Sequence, residues 1–333
     1  MKRGLLASLL VLPSFVVPMT AATVRVVQTN AAGDEALLID PATNKVILKM
    51  PNLEAVHGVA FSPDGERTYF TVEADSTVKA VETRTGKIVG SVKLSGHPNN
   101  IAVSKDGKRI FAGIAVAPGA VDVIDAATMK NVKSVPIKGA VHNVYVTPDG
   151  KYMVAGSAGG SIVQVFDAVT LEPSWELKMD KGVRCMAFEK APDGSTARLF
   201  MQLSDVHGVA VIDFKAHKEV TRLMLPNEPK NGVAHSGAPS HGLGVTADGK
   251  TLLVDSSIAE GVFFYSLPDL KLLGFVKTGN TPDWITLTPD SKTAYIANAG
   301  SNSVSVLNIA ERKEVTRIPA GEVPKRNGTV VLR

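Results

Sequence analysis

The sequence predicts an all-β fold, a seven-bladed β-propeller of four-stranded antiparallel blades whose ring is closed by pairing of the N-terminal and C-terminal strands. Two repeats and the mismatch between their counts predict it. The first repeat is a hairpin turn, Ser62-Pro63-Asp64-Gly65, which recurs at Ser104, Thr147, Ala191, Thr246 and Thr288 with steps of 42, 43, 44, 55 and 42 residues. Pro presets φ at the first corner, Asp bonds its own backbone, and Gly takes the positive φ that closes a hairpin. The second repeat is an apolar-Asp turn joining two further strands. Asp40, Glu82, Asp125, Asp167, Asp213, Ser266 and Asn308 mark it, with steps of 42, 43, 42, 46, 53 and 42 residues.

Six hairpin turns against seven second landmarks leave the first unit without an opening strand. The tail, Gly328 to Arg333, supplies one. A period of 40 to 45 residues with four strands per repeat is the signature of a propeller. Sharing one blade between the two ends removes a free sheet edge.

Taken in order, residues 23 to 48 supply three strands, and six units then open near His57, Asn99, His142, Arg184, His241 and Asp283. Opening strands such as Val59-Ala60-Phe61 are short and apolar, as the innermost strand of a blade must be. Third strands such as Val121-Asp122-Val123-Ile124 alternate, which predicts a half-exposed strand. Residues 226 to 241 form the one long insertion, and it runs into the start of an inner strand. Insertions into a repeat map to loops on one face, so this loop is expected to overhang the channel mouth.

Met1-Lys2-Arg3 and a short apolar core ending at Ala21-Ala22 read as a signal peptide over 1-22, with the propeller domain at 23-333 and a periplasmic or secreted destination. Without Lys2 and Arg3 the formal charge falls from 36 − 32 = +4 to 34 − 32 = +2. The remaining basic residues are scattered, with no basic stripe interleaved with aromatics, which argues against nucleic acid as a partner. Cys185 is the only cysteine, so no intrachain disulfide forms. Once the leader is cleaved the chain is expected to be a monomer that is not integral to the membrane.

The hairpin and the second landmark together resemble the YVTN-type β-propeller repeat family, the nearest match being Tyr295-Ile296-Ala297-Asn298 after Thr288-Pro289-Asp290-Ser291. The resemblance implies an exported seven-bladed propeller, akin to lactonases and to the propellers of haem- or copper-containing oxidoreductases. Its motif residues are structural turns and imply no catalytic role.

Aligning the opening strands puts His57, Asn99, His142, Arg184, His241 and Asp283 at one equivalent position, and Lys325 joins them when Pro324 is matched to Pro282. Two readings of this polar ring stand. It is a solvated strand-end ring, or it is a ligand site in which Arg184 and Lys325 favour a small anionic ligand. A metal ion would draw on His142, His235 and His241. Cys185 reads as a core or channel-wall residue, Trp284 as packing against the next blade, and His97, His207 and His217 as surface residues. The functional expectation is a binding or interaction module for a small anion or a protein partner. The alternative is a metal-assisted lactonase-like hydrolase, or a redox-associated propeller enzyme, using the channel-mouth histidines. Catalytic residues and cofactor stay open at this point.

Overall fold

The computed structural model describes residues 22–230, 232–234 and 237–333. The leader, apart from Ala22, lies outside the described residues, and so does His235. The chain folds into seven sheets, each of four antiparallel strands, and no helix occurs among the described residues. Blade 1 takes its inner strand Pro324–Leu332 from the tail and its other three, from Thr23–Asn30 outward, from the start of the domain. The tail strand is longer than the sequence indicates, because Pro324 already pairs with Asn30. The inner strands of blades 2 to 7 are Val56–Phe61, Pro98–Val103, Val141–Val146, Val183–Lys190, Leu243–Val245 and Pro282–Leu287.

Local chemistry dictates the corners. In the first hairpin Gly65 N donates to Ser62 O at 2.9 Å, and the Asp64 carboxylate accepts from Glu66 N at 3.0 Å. Gly65 sits at φ +78°, and in the last copy Ser291 adopts the same left-handed region at φ +52°. The second landmark is an Asx turn. Asp40, Asp125, Asp167 and Asp213 each accept a backbone N–H two or three residues on.

The core lies between blades rather than at the centre. Val154 and Val165 of blade 4 pack with Met186, Leu199, Met201 and Ile212 of blade 5, and similar clusters fill the other gaps. This arrangement overturns the expectation of a half-exposed third strand. In blade 3 the third strand, Ala120–Asp125, is buried through its middle, and the alternation falls on outer strands such as Ile88–Lys93. Blades stack face to face, so both faces of every middle strand are covered. The polar member of that third strand, Asp122, is fully buried and accepts from Ser95 N at 2.7 Å and Ser95 Oγ at 2.9 Å.

Candidate functional site

One end of the channel gathers the starts of the inner strands, the turns between second and third strands, and the described residues of the 226–241 loop. Main-chain bonds hold that loop down. Asp205 N donates to Gly237 O at 2.8 Å, and Ser257 N to Pro239 O at 3.0 Å.

Six inner strands carry the ring residue as their second member, and in each the ladder slips by a β-bulge around that residue. A bulge breaks the strict alternation of a strand and re-aims side chains. The N–H groups it frees need acceptors. Thr29 Oγ1 accepts from Arg326 N at 3.0 Å and Thr71 Oγ1 from Gly58 N at 2.7 Å; in blade 6 His241 and Gly242 precede the inner strand Leu243–Val245, and Asp255 Oδ1 accepts from both of their N–H groups at 2.9 and 2.8 Å.

Five of the seven ring residues, Lys325, Asp283, His241, His142 and Arg184, form one connected group. Lys325 Nζ lies 3.2 Å from Asp283 Oδ2, and His241 Nδ1 donates to the Asp283 main-chain carbonyl at 2.7 Å. His241 Nε2 is 3.3 Å from Cys185 Sγ, and the His142 and His241 rings stand edge to face with centroids 5.3 Å apart. Arg184 places Nη1 3.3 Å from His142 Nε2 and donates from Nε to Ser204 Oγ at 2.8 Å. His57 stands apart, with Nδ1 bonded to Glu73 Oε1. Its Nε2 is buried without a hydrogen-bond partner.

Sequence reasoning missed the residue that links the ring. Arg326, one place beyond Lys325, is 1% exposed. Its Nη2 donates to Asn99 Oδ1 at 2.6 Å, and its guanidinium lies 4.1 Å from the centroid of the Trp284 ring. The Asn143 amide is oriented with its oxygen toward Arg326 Nη1 (3.2 Å), Asn100 Nδ2 (3.0 Å) and the Tyr145 hydroxyl (2.7 Å), the arrangement that satisfies both ends of the amide. Arg326 therefore joins blade 1 to blades 3 and 4 and stacks on blade 7. Its Nε is buried without a partner. Trp284, expected to pack against the next blade, is the face on which this cation rests.

Burial dominates the electrostatics. It lowers the His57 pKa to about 4, against the raising effect of the Glu73 bond, and Arg326 and Lys325 push it further down. His241 is lowered to about 3 by burial, and His142 well below its ordinary value by burial, with His241 and Arg326 adding to it. All three imidazoles are neutral at pH 7. Burial pushes the Cys185 thiol up to about 12 and, with the nearby Asp283 charge, holds the Asp255 carboxyl well above the usual range.

The other histidines divide. His217 is exposed and stacks on Trp175, and His97 is half exposed near Glu73. The expectation of a surface His207 is corrected. It is 9% exposed, with Nε2 2.8 Å from Ser256 Oγ, because the turn that carries it packs under the neighbouring blade. A surface cleft of 740 Å³ lies at the opposite end, between the turns around Asp64 and Asp106. Those carboxylates are committed to their own turns.

No curated protein matches the chain. Among solved structures, the periplasmic gluconolactonase of Pseudomonas aeruginosa aligns with TM-score 0.76 at 16% identity, covering 93% of this chain and 100% of that one. A putative 6-phosphogluconolactonase of Bacteroides fragilis gives TM-score 0.75 at 18% identity, covering 94% and 99%. Hydrazine synthase of Kuenenia stuttgartiensis gives 0.71 at 22%, covering 85% and 91%. At these identities the likeness establishes the fold. Residues 21–144 match the model of the cytochrome D1 heme domain, and residues 117–331 match the model of the seven-bladed β-propeller lactonases. The second match spans more than half of the chain, which therefore belongs to the seven-bladed β-propeller lactonase family.

Proposed function

We propose that the protein is a lactonase-like hydrolase that opens the ring of a small sugar-acid lactone at the channel mouth. The observation that carries this reading is His57. Glu73 holds its Nδ1, which places the proton of the neutral ring there and leaves the Nε2 lone pair buried and unengaged. A carboxylate-oriented imidazole with a free Nε2 is the arrangement of a general base. In the proposed step Nε2 takes a proton from water as its oxygen attacks the lactone carbonyl. The ring C–O bond then breaks, and the His57 imidazolium returns its proton to the alkoxide leaving group, which gives the open hydroxy acid and regenerates the neutral ring. Glu73 stabilises the transient imidazolium. Negative charge on the tetrahedral intermediate, and then on the carboxylate product, is met by the cations that line the site, Arg184, Lys325 and Arg326. Arg184 carries a planar fork suited to a carboxylate or phosphate, whereas the fork of Arg326 is committed to Asn99 and Asn143 and contributes its charge alone.

Membership in a lactonase family favours turnover over the bare binding module that the sequence suggests. The ring residues His57, Asn99, His142, Arg184, His241, Asp283 and Lys325 are assigned to this substrate site as part of the proposal. The YVTN-type resemblance concerns turns alone and adds nothing to it. Export is proposed as well, on the basic and apolar start of the sequence and on the likeness to the periplasmic gluconolactonase.

The test is hydrolysis of D-glucono-1,5-lactone and its 6-phosphate by the purified mature chain, against the spontaneous rate. His57→Gln is expected to lower kcat by roughly 10² to 10⁴ with little change in KM. Full activity in His57→Gln would remove the assignment.

A further inference from the structure

The proposed base leaves unexplained a second cluster at the same mouth. His142, Cys185 and His241 come from the starts of the inner strands of blades 4, 5 and 6. One ring nitrogen of each histidine and the Cys185 Sγ all lie within 4.8 Å of one another. We propose that these three side chains form a binding site for a thiophilic transition-metal ion of the Zn(II) or Cu class, with two imidazole nitrogens and one thiolate as its protein ligands. The sequence points to His142, His235 and His241. Among the described residues the third donor is Cys185, and His235 lies outside them.

Three observations carry the assignment. A tetrahedral zinc centre, with Zn–S near 2.3 Å and Zn–N near 2.0 Å, holds its nitrogen and sulfur ligands roughly 3.5 Å apart. Cys185 Sγ and His241 Nε2 already stand 3.3 Å apart. The His241 ring is also held as ligating imidazoles are held, with Nδ1 donating to a main-chain carbonyl, that of Asp283; the sulfur lies 3.4 Å from Nδ1 and 3.3 Å from Nε2, so the ring turns on binding to aim the Nε2 lone pair at an ion shared with Cys185. The third observation is the donor set itself. A soft sulfur with two imidazoles selects zinc or copper over magnesium or calcium, and no second cysteine exists to give the thiol a disulfide partner.

His142 must adjust as well. Arg184 Nη1 sits 3.3 Å from its Nε2. The arriving ion adds positive charge beside Arg184, Lys325 and Arg326, offset by the thiolate and by Asp283, which is paired with Lys325. Arg184 therefore acts as a competitor for the site, and its displacement is part of binding. As the S–metal bond forms, the Cys185 thiol gives its proton to solvent, so one proton is released per ion bound. This inference rests on the lactonase reading only for its consequence. A three-ligand ion keeps an open position from which to polarise a lactone carbonyl.

The experiment uses the full mature chain stripped with chelator and titrated with Co(II), then with Zn(II). Wild type is expected to bind one Co(II) with a thiolate-to-cobalt charge-transfer band in the near ultraviolet, and Zn(II) to abolish the band stoichiometrically. Cys185→Ser is expected to lose the band, and both Cys185→Ser and His241→Gln to bind Zn(II) about 100-fold more weakly or worse. Arg184→Met is expected to bind it more tightly. Absence of the band in wild type overturns the proposal whether or not the variants fold. Unchanged Zn(II) affinity in folded Cys185→Ser and His241→Gln overturns it equally. No readout involves lactone turnover, so failure here leaves the His57 and Glu73 assignment standing, and failure of that assignment leaves this one.

Discussion

Acid should unfold this protein through His57 before the carboxylates of the turns titrate. The His57 pKa is about 4 in the folded chain, from burial chiefly, against 6.5 for the free side chain. Between these values the unfolded chain binds a proton that the folded chain refuses, so stability rises with pH across the window. The stabilisation is complete above pH 6.5 and is lost as pH falls toward 4. Each pKa unit corresponds to about 1.36 kcal/mol, so from pH 6.5 to 4.5 the loss from this one residue is about 2 to 3 kcal/mol. That is a large share of the roughly 5 to 15 kcal/mol that stabilises a typical domain. The assay is urea unfolding of wild type and His57→Gln, followed by tryptophan fluorescence at pH 7, 6, 5 and 4.5. Gln can still bond Glu73 but cannot charge. The wild-type advantage over His57→Gln should shrink by about 2 to 3 kcal/mol across the series. A pH-independent difference between the two proteins would refute the claim that a buried neutral imidazole sits at this position.

Three further outcomes follow from the same geometry. Arg326→Met leaves the Asn99 and Asn143 amide oxygens without this donor and removes the cation on Trp284, and should cost about 2 to 4 kcal/mol in urea unfolding; an increase in stability would mean that the guanidinium is held there at a cost for function alone. Asp255→Ala leaves the His241 and Gly242 N–H groups buried without an acceptor and should cost about 2 to 4 kcal/mol by the same assay. Truncation before Pro324 exposes the edge of Thr23–Asn30 and removes Arg326, so the shortened chain should aggregate on gel filtration, while a monodisperse folded product would show that ring closure is dispensable.

The fold was legible because its signals are local. The turn at Ser62-Pro63-Asp64-Gly65 and the Asx turn at Asp40 depend on a few adjacent residues, and their spacing alone counts the blades. The ring position was legible for the same reason, since His57, Asn99, His142, Arg184, Asp283 and Lys325 all sit second in their strands. Arg326, Asn143 and Cys185 were not assigned to the site because they follow the ring residues by one. Ordinary alternation sends neighbours to opposite faces, and it is the bulge, invisible in the sequence, that brings both to the channel. Shifting the alignment by one place gives Gly58, Asn100, Asn143, Cys185, Gly242, Trp284 and Arg326, a mixed set that does not stand out in the sequence. Glu73 and Asp255 escaped for a different reason. They lie at the ends of second strands and reach the site only through pairing across the blade. The buried third strand was misread because alternation reports one covered face, whereas stacked blades cover two.

The central claim is turnover by the pair His57 and Glu73. It is tested most directly by measuring kcat/KM on D-glucono-1,5-lactone for wild type, His57→Gln and Glu73→Gln, with folding verified for each. The account predicts hydrolysis above the spontaneous rate in wild type, a fall of roughly 10² to 10⁴ in His57→Gln, and a smaller fall in Glu73→Gln, which loses orientation and charge but keeps the base. Equal rates in wild type and both variants would contradict it.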